Sequence, residues 1–171
     1  MRFAPFFLDP STPPEGKPRR QMTKPGDPPS HLEVRGQESG LTFARGRTWT
    51  SNSHLALEAG EFAEEHQGGQ AFHWAMFKAY FEALEDIGKV DNIVRIGESV
   101  GLDGPALREA LESGQYRQQV DDGIEWSRSI GVTAVPTFVF DDQYGIVGAQ
   151  DYDVFKSMME KLGRKPKSAR V

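Results

Sequence analysis

Apolar residues recur every three or four positions through the middle of the chain, from about Ser51 onward. This is the period of a helix that buries one face, so the pattern predicts a block of five helices. They are one helix capped by Ser51 or Asn52 and ended by Gly68, one built on Phe72–Leu84, one near 89–100, a short one capped by Asp103, and one near 116–130.

A different pattern precedes this block. Residues 2–8 are mostly aromatic or apolar and predict a short strand, in which Pro5 favours an edge position because it lacks a ladder N–H. Residues 9–18 contain four prolines, and few apolar residues follow until about residue 46. We therefore expect a long loop here, with polyproline-like backbone in its first part.

A hairpin pattern follows the helices. Thr137–Phe140 is rich in β-branched and aromatic residues, Asp141–Tyr144 predicts a turn, and 145–148 predicts the returning strand. A last amphipathic helix is predicted from about Asp151 to Leu162. The order of strand, loop, helices, hairpin and helix indicates an α/β layer protein with a block of helices inserted between its strands.

Length and charge narrow the function. The 171 residues fit one globular domain, and no apolar run approaches the ~18 residues that cross a bilayer. No signal-peptide pattern is present either, so we expect a cytoplasmic protein with no membrane segment. The net charge is −5 although residues 161–171 are basic, and such an acidic body disfavours nucleic acid. A helix-turn-helix outline over 92–113 is disfavoured for the same reason, because its second helix carries Glu109 and Glu112.

Cysteine is absent, which excludes disulfides, thiolate metal sites and thiol nucleophiles made by this chain alone. The four histidines show no metal-binding spacing, so no metal site is predicted, and His73 is expected at the surface or at the edge of the core. The acidic side chains expected to form solvated helix faces are Glu61, Glu64, Glu65, Asp121 and Asp122.

The segment 134–137, Ala-Val-Pro-Thr, is the most informative short motif. It lies between a helix end and a strand that looks buried, where a proline needs an explanation. Two interpretations stay open from the residues alone: a cis Val135–Pro136 bond, or an ordinary trans proline that begins a strand.

Several segments in order resemble the DsbA/FrnE-like proteins of the thioredoxin fold. They are 5–16 with its proline-rich loop, 79–81, 86–87, 101–103, 131–140 and 148–150. Relatives of that family include 2-hydroxychromene-2-carboxylate isomerases and kappa-class glutathione transferases. The resemblance spans about 2–162 and implies an α/β fold, with a DsbA-like sheet and an inserted helical subdomain.

The resemblance also implies that the first strand and helix of the fold, which carry Cys-x-x-Cys or a serine, are missing, as in a truncated chain. It assigns 1–50 to an N-terminal strand and loop, 51–115 to the helical insertion, 116–163 to a helix, cis-proline hairpin and last helix, and 164–171 to a basic tail. The strands 2–8 and 137–140 would then lack a partner between them. We expect them to pair directly, to share strands in a homodimer or to aggregate.

The resemblance implies a binding groove at the hairpin. Pro136 would be the cis-proline beside the family's active site, and Val135 with Thr137 would bind an extended peptide or glutathione. Asn52 lies near the ligand in the isomerase and transferase branches, although a helix cap is the interpretation that we favour. Leu57 stands where many relatives have a histidine, which weakens a proton-transfer role there.

Three functions follow from these observations. The first is a disulfide oxidoreductase family member that is redox-inactive because it has no cysteine, with no catalytic residue and no required cofactor. The second is a non-redox module that binds a peptide or glutathione. The third is a glutathione-dependent isomerase or transferase, which would need the missing serine.

Overall fold

The computed structural model describes residues 2–20, 23 and 26–164. The chain divides into two compact units, Met1–Trp126 and Ser127–Val171, and each is described separately below. Within the described residues, every helix is too short or too polar to cross a membrane.

The first unit is mostly helical, and the five predicted helices are confirmed with shifted ends. The elements in chain order are β1 (Lys17–Pro18), α1 (His31–Glu38), β2 (Trp49–Thr50), α2 (His54–Glu65), α3 (Gly69–Phe81), α4 (Val90–Ser99), α5 (Gly104–Ser113) and α6 (Arg117–Ser129), the last of which crosses into the second unit. The cap predicted for α5 is confirmed, since Asp103 accepts a hydrogen bond from the Ala106 N–H at 3.0 Å. Gly114 ends that helix with φ of 68°, a left-handed conformation that favours glycine.

A continuous apolar core lies among α2, α3, α4 and α5. Its largest fully buried apolar side chains include Phe72, Ile93, Leu107 and Leu111. Helices α4 and α5 approach closely at Gly97, where an added Cβ would lie 2.7 Å from a methyl carbon of Leu107. The helical period seen in the sequence therefore corresponds to one shared core.

The prediction of a strand over 2–8 is wrong, because these residues form neither a helix nor a strand. They pack through side chains instead of through a backbone ladder. The Phe3 ring lies 4.0 Å from the His73 ring centroid, and the Phe7 ring lies edge-on to His54 at 6.3 Å. Pro5 lies so close to Gly123 that a Cβ there would be 2.9 Å from the proline ring. Aromatic packing against helices thus accounts for a pattern that also resembles a strand.

The prediction of an irregular loop to residue 46 is also wrong in part. The segment before residue 46 contains helix α1 and strand β1, and β1 pairs antiparallel with β2. Helix α1 begins with a capping box, in which Ser30 and Glu33 exchange side-chain and backbone hydrogen bonds. Arg45 binds Glu33 with nitrogen–oxygen distances of 2.5 and 2.9 Å and, as the main cause, lowers the pKa of Glu33 to about 2.

The second unit contains the predicted hairpin and last helix. Strands β3 (Thr137–Phe140) and β4 (Tyr144–Val147) pair antiparallel, with Thr137 opposite Val147. Asp141 and Asp142 form the turn with φ of 48° and 55°, a conformation that aspartate tolerates better than most residues. Helix α7 (Tyr152–Lys161) follows, and its Phe155 ring packs edge-on against Phe138 at 4.9 Å. Of the predicted basic tail, 165–171 lie outside the described residues.

Candidate functional site

The end of the loop before β3 and the first residue of β3 are the three residues that the sequence predicts at a binding groove, Val135, Pro136 and Thr137. The Val135–Pro136 peptide bond is cis. The Thr137 hydroxyl donates to the Ala134 carbonyl at 2.7 Å, and the Gly148 N–H donates to the Pro136 carbonyl at 2.7 Å. The first bond closes the turn at 134–137, and the second holds the segment against the end of β4.

Val135 lies at an open edge of this hairpin. The residue is 48% exposed, and Pro136 is exposed as well. Within the part of the chain that the structure describes, the Val135 N–H and C=O make no hydrogen bond, and β3 pairs with β4 alone. The loop and β3 therefore offer backbone donors and acceptors that another extended chain could use.

Asn52, the fourth predicted site residue, lies in the first unit. Its side-chain nitrogen donates to the Thr12 carbonyl at 2.8 Å, and its side-chain oxygen accepts from the His54 N–H at 2.9 Å. Helix α2 begins at His54 with Ser53 as its N-cap, so the predicted start near Ser51 is too early. Asn52 ties the proline-rich loop to the start of α2, and its role toward a ligand stays a prediction.

A histidine between two carboxylates was missed by the sequence reasoning. His54 Nδ1 lies 2.9 Å from Glu58 Oε1, and Nε2 lies 3.0 Å from Asp121 Oδ1 on α6. Glu58 is only 1% exposed, and its Oε2 has no hydrogen-bond partner among the described residues. His54 therefore links α2 to α6 beside a buried carboxylate that has a single polar partner.

Two further carboxylates of α2 face α6. Gln119 Nε2 donates to Glu61 Oε2 at 2.5 Å, and the Tyr116 hydroxyl donates to Glu65 Oε2 at 2.6 Å. Burial and the Glu65 carboxylate raise the pKa of Tyr116 to about 12. The prediction of a solvated face is wrong for Glu61, which is 7% exposed, and right for the exposed Glu64, Glu65, Asp121 and Asp122.

Little in the sequence signals this burial. The small residues of α2 at 56, 59, 60 and 63 are all buried. Their spacing places them on one face of the helix, opposite Glu58 and Glu61, so they allow close packing there but do not explain the burial of the two carboxylates. The described residues contain no group of three or more histidine, aspartate or glutamate side chains placed to hold a metal ion.

The fold and the family agree. A family model for the DSBA-like thioredoxin domain matches residues 1–160, so the chain belongs to this family, as its resemblance predicted. Its α/β fold is thioredoxin-like, with mostly helical content and small sheets.

Two individual proteins are similar to this chain. The structure of a probable DsbA oxidoreductase, SCO1869 from Streptomyces coelicolor, superposes with a TM-score of 0.69 and 22% sequence identity, covering 82% of this chain and 61% of that one. The uncharacterized protein YwbO from Bacillus subtilis (strain 168) is 33% identical over 112 residues, which are 65% of this chain and 56% of YwbO. The chain thus spans little more than half the length of YwbO.

Proposed function

We propose that this chain is a non-redox binding module of the DSBA-like family that takes an extended peptide along Val135 and β3. The observation that carries this proposal is Val135, an exposed residue whose backbone N–H and C=O make no hydrogen bond within the described residues. Thiol–disulfide exchange begins with a cysteine thiolate, and the sequence has no cysteine. The proposed module therefore keeps a peptide-binding surface but has no cysteine for thiol–disulfide exchange.

Strand addition is the recognition mode that this edge fits. An extended peptide that adds to a sheet edge gains main-chain hydrogen bonds whatever its sequence, while exposed side chains set the preference. Val135 and Val139 are 48% and 38% exposed and give the edge an apolar character. We therefore expect a preference for extended segments with apolar side chains. Glutathione, a tripeptide with two amide groups, one of them a γ-glutamyl linkage, is the second ligand to test.

Amide chemical shifts test the peptide proposal directly. The full chain, labelled with ¹⁵N, is titrated with a short cysteine-free apolar peptide and, separately, with glutathione. Saturable shifts are expected at the Val135, Thr137 and Val139 amides. The matched control is the same peptide with alternate backbone nitrogens methylated, which should bind about tenfold more weakly or worse because it loses backbone hydrogen bonds. An equal affinity for the methylated peptide, or no saturable shift at the hairpin, contradicts the proposal.

The absence of cysteine predicts a second result. The purified chain should reduce or isomerise no disulfide above the uncatalysed rate in an insulin reduction assay with dithiothreitol, because no residue can form the mixed disulfide. A DsbA protein with its Cys-x-x-Cys motif is the positive control. Turnover above the blank by the clean chain would contradict this part of the proposal.

A further inference from the structure

A small cavity in the first unit is lined by two residues that each have a buried polar atom without a hydrogen-bond partner among the described residues. The cavity has a volume of about 100 Å³ and is lined by residues 46–49, Ser51 and 84–86. Arg47 Nη2 and Ser51 Oγ are both buried, and neither has a hydrogen-bond partner among the described residues. Both residues line the same cavity, which makes a shared missing partner the simplest explanation.

Leaving these atoms unpaired is costly. A buried polar group without a partner loses its water and gains nothing in return, and the penalty is greater for a charged group. Native proteins place a water, an ion or a ligand beside such atoms. A cavity of about 100 Å³ is larger than a single water needs, so it has room for a small solute.

The arginine is held in place from one side. Its guanidinium carbon lies 3.6 Å from the centre of the Tyr80 ring, a cation–π arrangement that fixes the plane of the group. Burial lowers the pKa of Arg47, and nearby Arg19 contributes in the same direction, but an arginine stays protonated in proteins. The guanidinium is therefore a fixed cation in the wall of the cavity, and its buried Nη2 is the donor without a partner.

The charges around the cavity select the ligand. Arg47 and Ser51 both offer donors, so the missing partner is an acceptor, and a planar guanidinium edge matches a carboxylate. Two acidic residues, Glu85 and Asp86, also line the cavity. Glu85 is paired with Arg95, and Asp86 Oδ1 accepts from the Gly88 N–H at 3.0 Å. Their negative charge repels a doubly charged ion such as phosphate more strongly than a singly charged one.

We propose that Arg47 and Ser51 form a binding site for a small monocarboxylate, separate from the peptide edge at Val135. Arg47 Nη2 donates to one carboxylate oxygen and the Ser51 hydroxyl donates to the carboxylate. The ligand could be a free small acid or the carboxylate end of a larger molecule, and the two sources share this chemistry.

The test follows the full chain by NMR, at constant ionic strength, during addition of sodium acetate, sodium phosphate or sodium chloride. The signals to follow are the Arg47 side-chain Nε–Hε group and the Ser51 amide. Acetate should give saturable shifts at both signals, phosphate should bind more weakly, and chloride should leave them unchanged. A second titration uses N-acetylglycine in place of acetate. Binding of both would indicate a site that is open to the carboxylate end of a larger molecule, and binding of acetate alone would indicate a site for a free small acid.

The decisive variant is Ser51→Ala, because it removes one donor without leaving a new unpaired atom. It should fold normally and bind acetate about tenfold more weakly, as for loss of a hydrogen bond to a charged group. Ser99→Ala is the matched control, since the Ser99 hydroxyl bonds to the Ile96 carbonyl on α4 at 2.6 Å, away from the cavity lining. No saturable acetate response, an unchanged affinity in Ser51→Ala, or tighter binding of phosphate than acetate would overturn the proposal.

Discussion

The two units of this protein differ in how completely they bury their apolar residues. In Met1–Trp126 a cluster of apolar side chains is closed among four helices, and Phe72, Ile93 and Leu107 are 1% exposed or less. Among the described residues of Ser127–Val171, Ile146 is the only apolar side chain that is buried. Helix α7 buries no residue at all.

This difference follows from how helices and a hairpin satisfy their backbone hydrogen bonds. Helices satisfy their own backbone hydrogen bonds, so a few packed helices can close a core from one stretch of sequence. A single hairpin leaves both outer edges without a ladder and is marginal without further packing. The exposed large apolar side chains of the second unit are Ile130, Val135, Val139, Val147, Tyr152, Val154 and Met159. This combination of an open edge and exposed apolar residues supports a binding function for the hairpin.

The largest expected effect comes from a matched pair of core substitutions. Ile93→Ala should lower the free energy of unfolding by about 2–5 kcal/mol, because it opens a cavity in a closed core. Ile146→Ala should cost about 2 kcal/mol or less, since its surroundings are open enough to relax. Urea unfolding followed by circular dichroism measures both. Val147→Ala, at a residue that is 55% exposed, is the control and should change stability little. Equal losses of unfolding free energy in the two isoleucine variants would contradict the difference between the units.

A smaller effect is expected at a helix start of the first unit. Asp103→Ala removes the acceptor of the Ala106 N–H and should lower the free energy of unfolding by about 1 kcal/mol. The neighbouring exposed Glu109→Ala, which removes a carboxylate of the same helix but no cap, should change it much less. The same urea experiment compares them. Identical values for the two variants would mean that the cap contributes nothing.

The pH dependence should also be stronger in the first unit. Burial lowers the pKa of His73 below 6.5, and Glu64 opposes this in part. The folded state therefore favours the neutral ring, and this contribution is complete above pH 6.5 and is lost as the pH falls through the lower folded pKa. Thermal melting between about pH 7 and pH 5 should show a falling midpoint that His73→Phe reduces. His31→Gln, at an exposed position of α1, is the control, and an equal reduction there would contradict this assignment.

The smallest effect is expected at the capping box of α1. Arg45 and Ser30 lower the pKa of Glu33 to about 2, so the stabilisation of this helix start is present above pH 4.5 and is lost as the pH falls toward 2. Amide exchange of residues 33–36 should accelerate over that range in the native chain. In Glu33→Gln the exchange should already be faster at pH 6 and should change less with acid. An acid response that the variant retains in full would show that other groups cause it.

The sequence predicts the helices and the hairpin better than the N-terminal region. The five central helices and the hairpin are set by periodic apolar residues and by turn residues such as Asp141, which act locally. The segment 2–8 defeats the prediction because aromatic residues that pack against helices have the same composition as a strand. Helix α1 was missed because its apolar content is low, although Ser30 and Glu33 show the spacing of a capping box.

The site is predicted only where the motif is local. The 134–137 segment was identified from four consecutive residues. The contact between His54 and Asp121 joins residues that are far apart in sequence. The missing partner of Arg47 Nη2 depends on the burial of that atom, which no local sequence pattern shows.

Hydrogen exchange with mass spectrometry tests the central contrast most directly, on the full chain with and without the cysteine-free apolar peptide. We predict slow exchange in α2–α5, fast exchange in β3, and protection of peptides covering 134–140 when the ligand is added, with α2–α5 unchanged. Slow exchange of β3 without ligand, or protection confined to the helices, would contradict the account of a closed helical core in one unit and an open hairpin edge, proposed to bind a peptide, in the other.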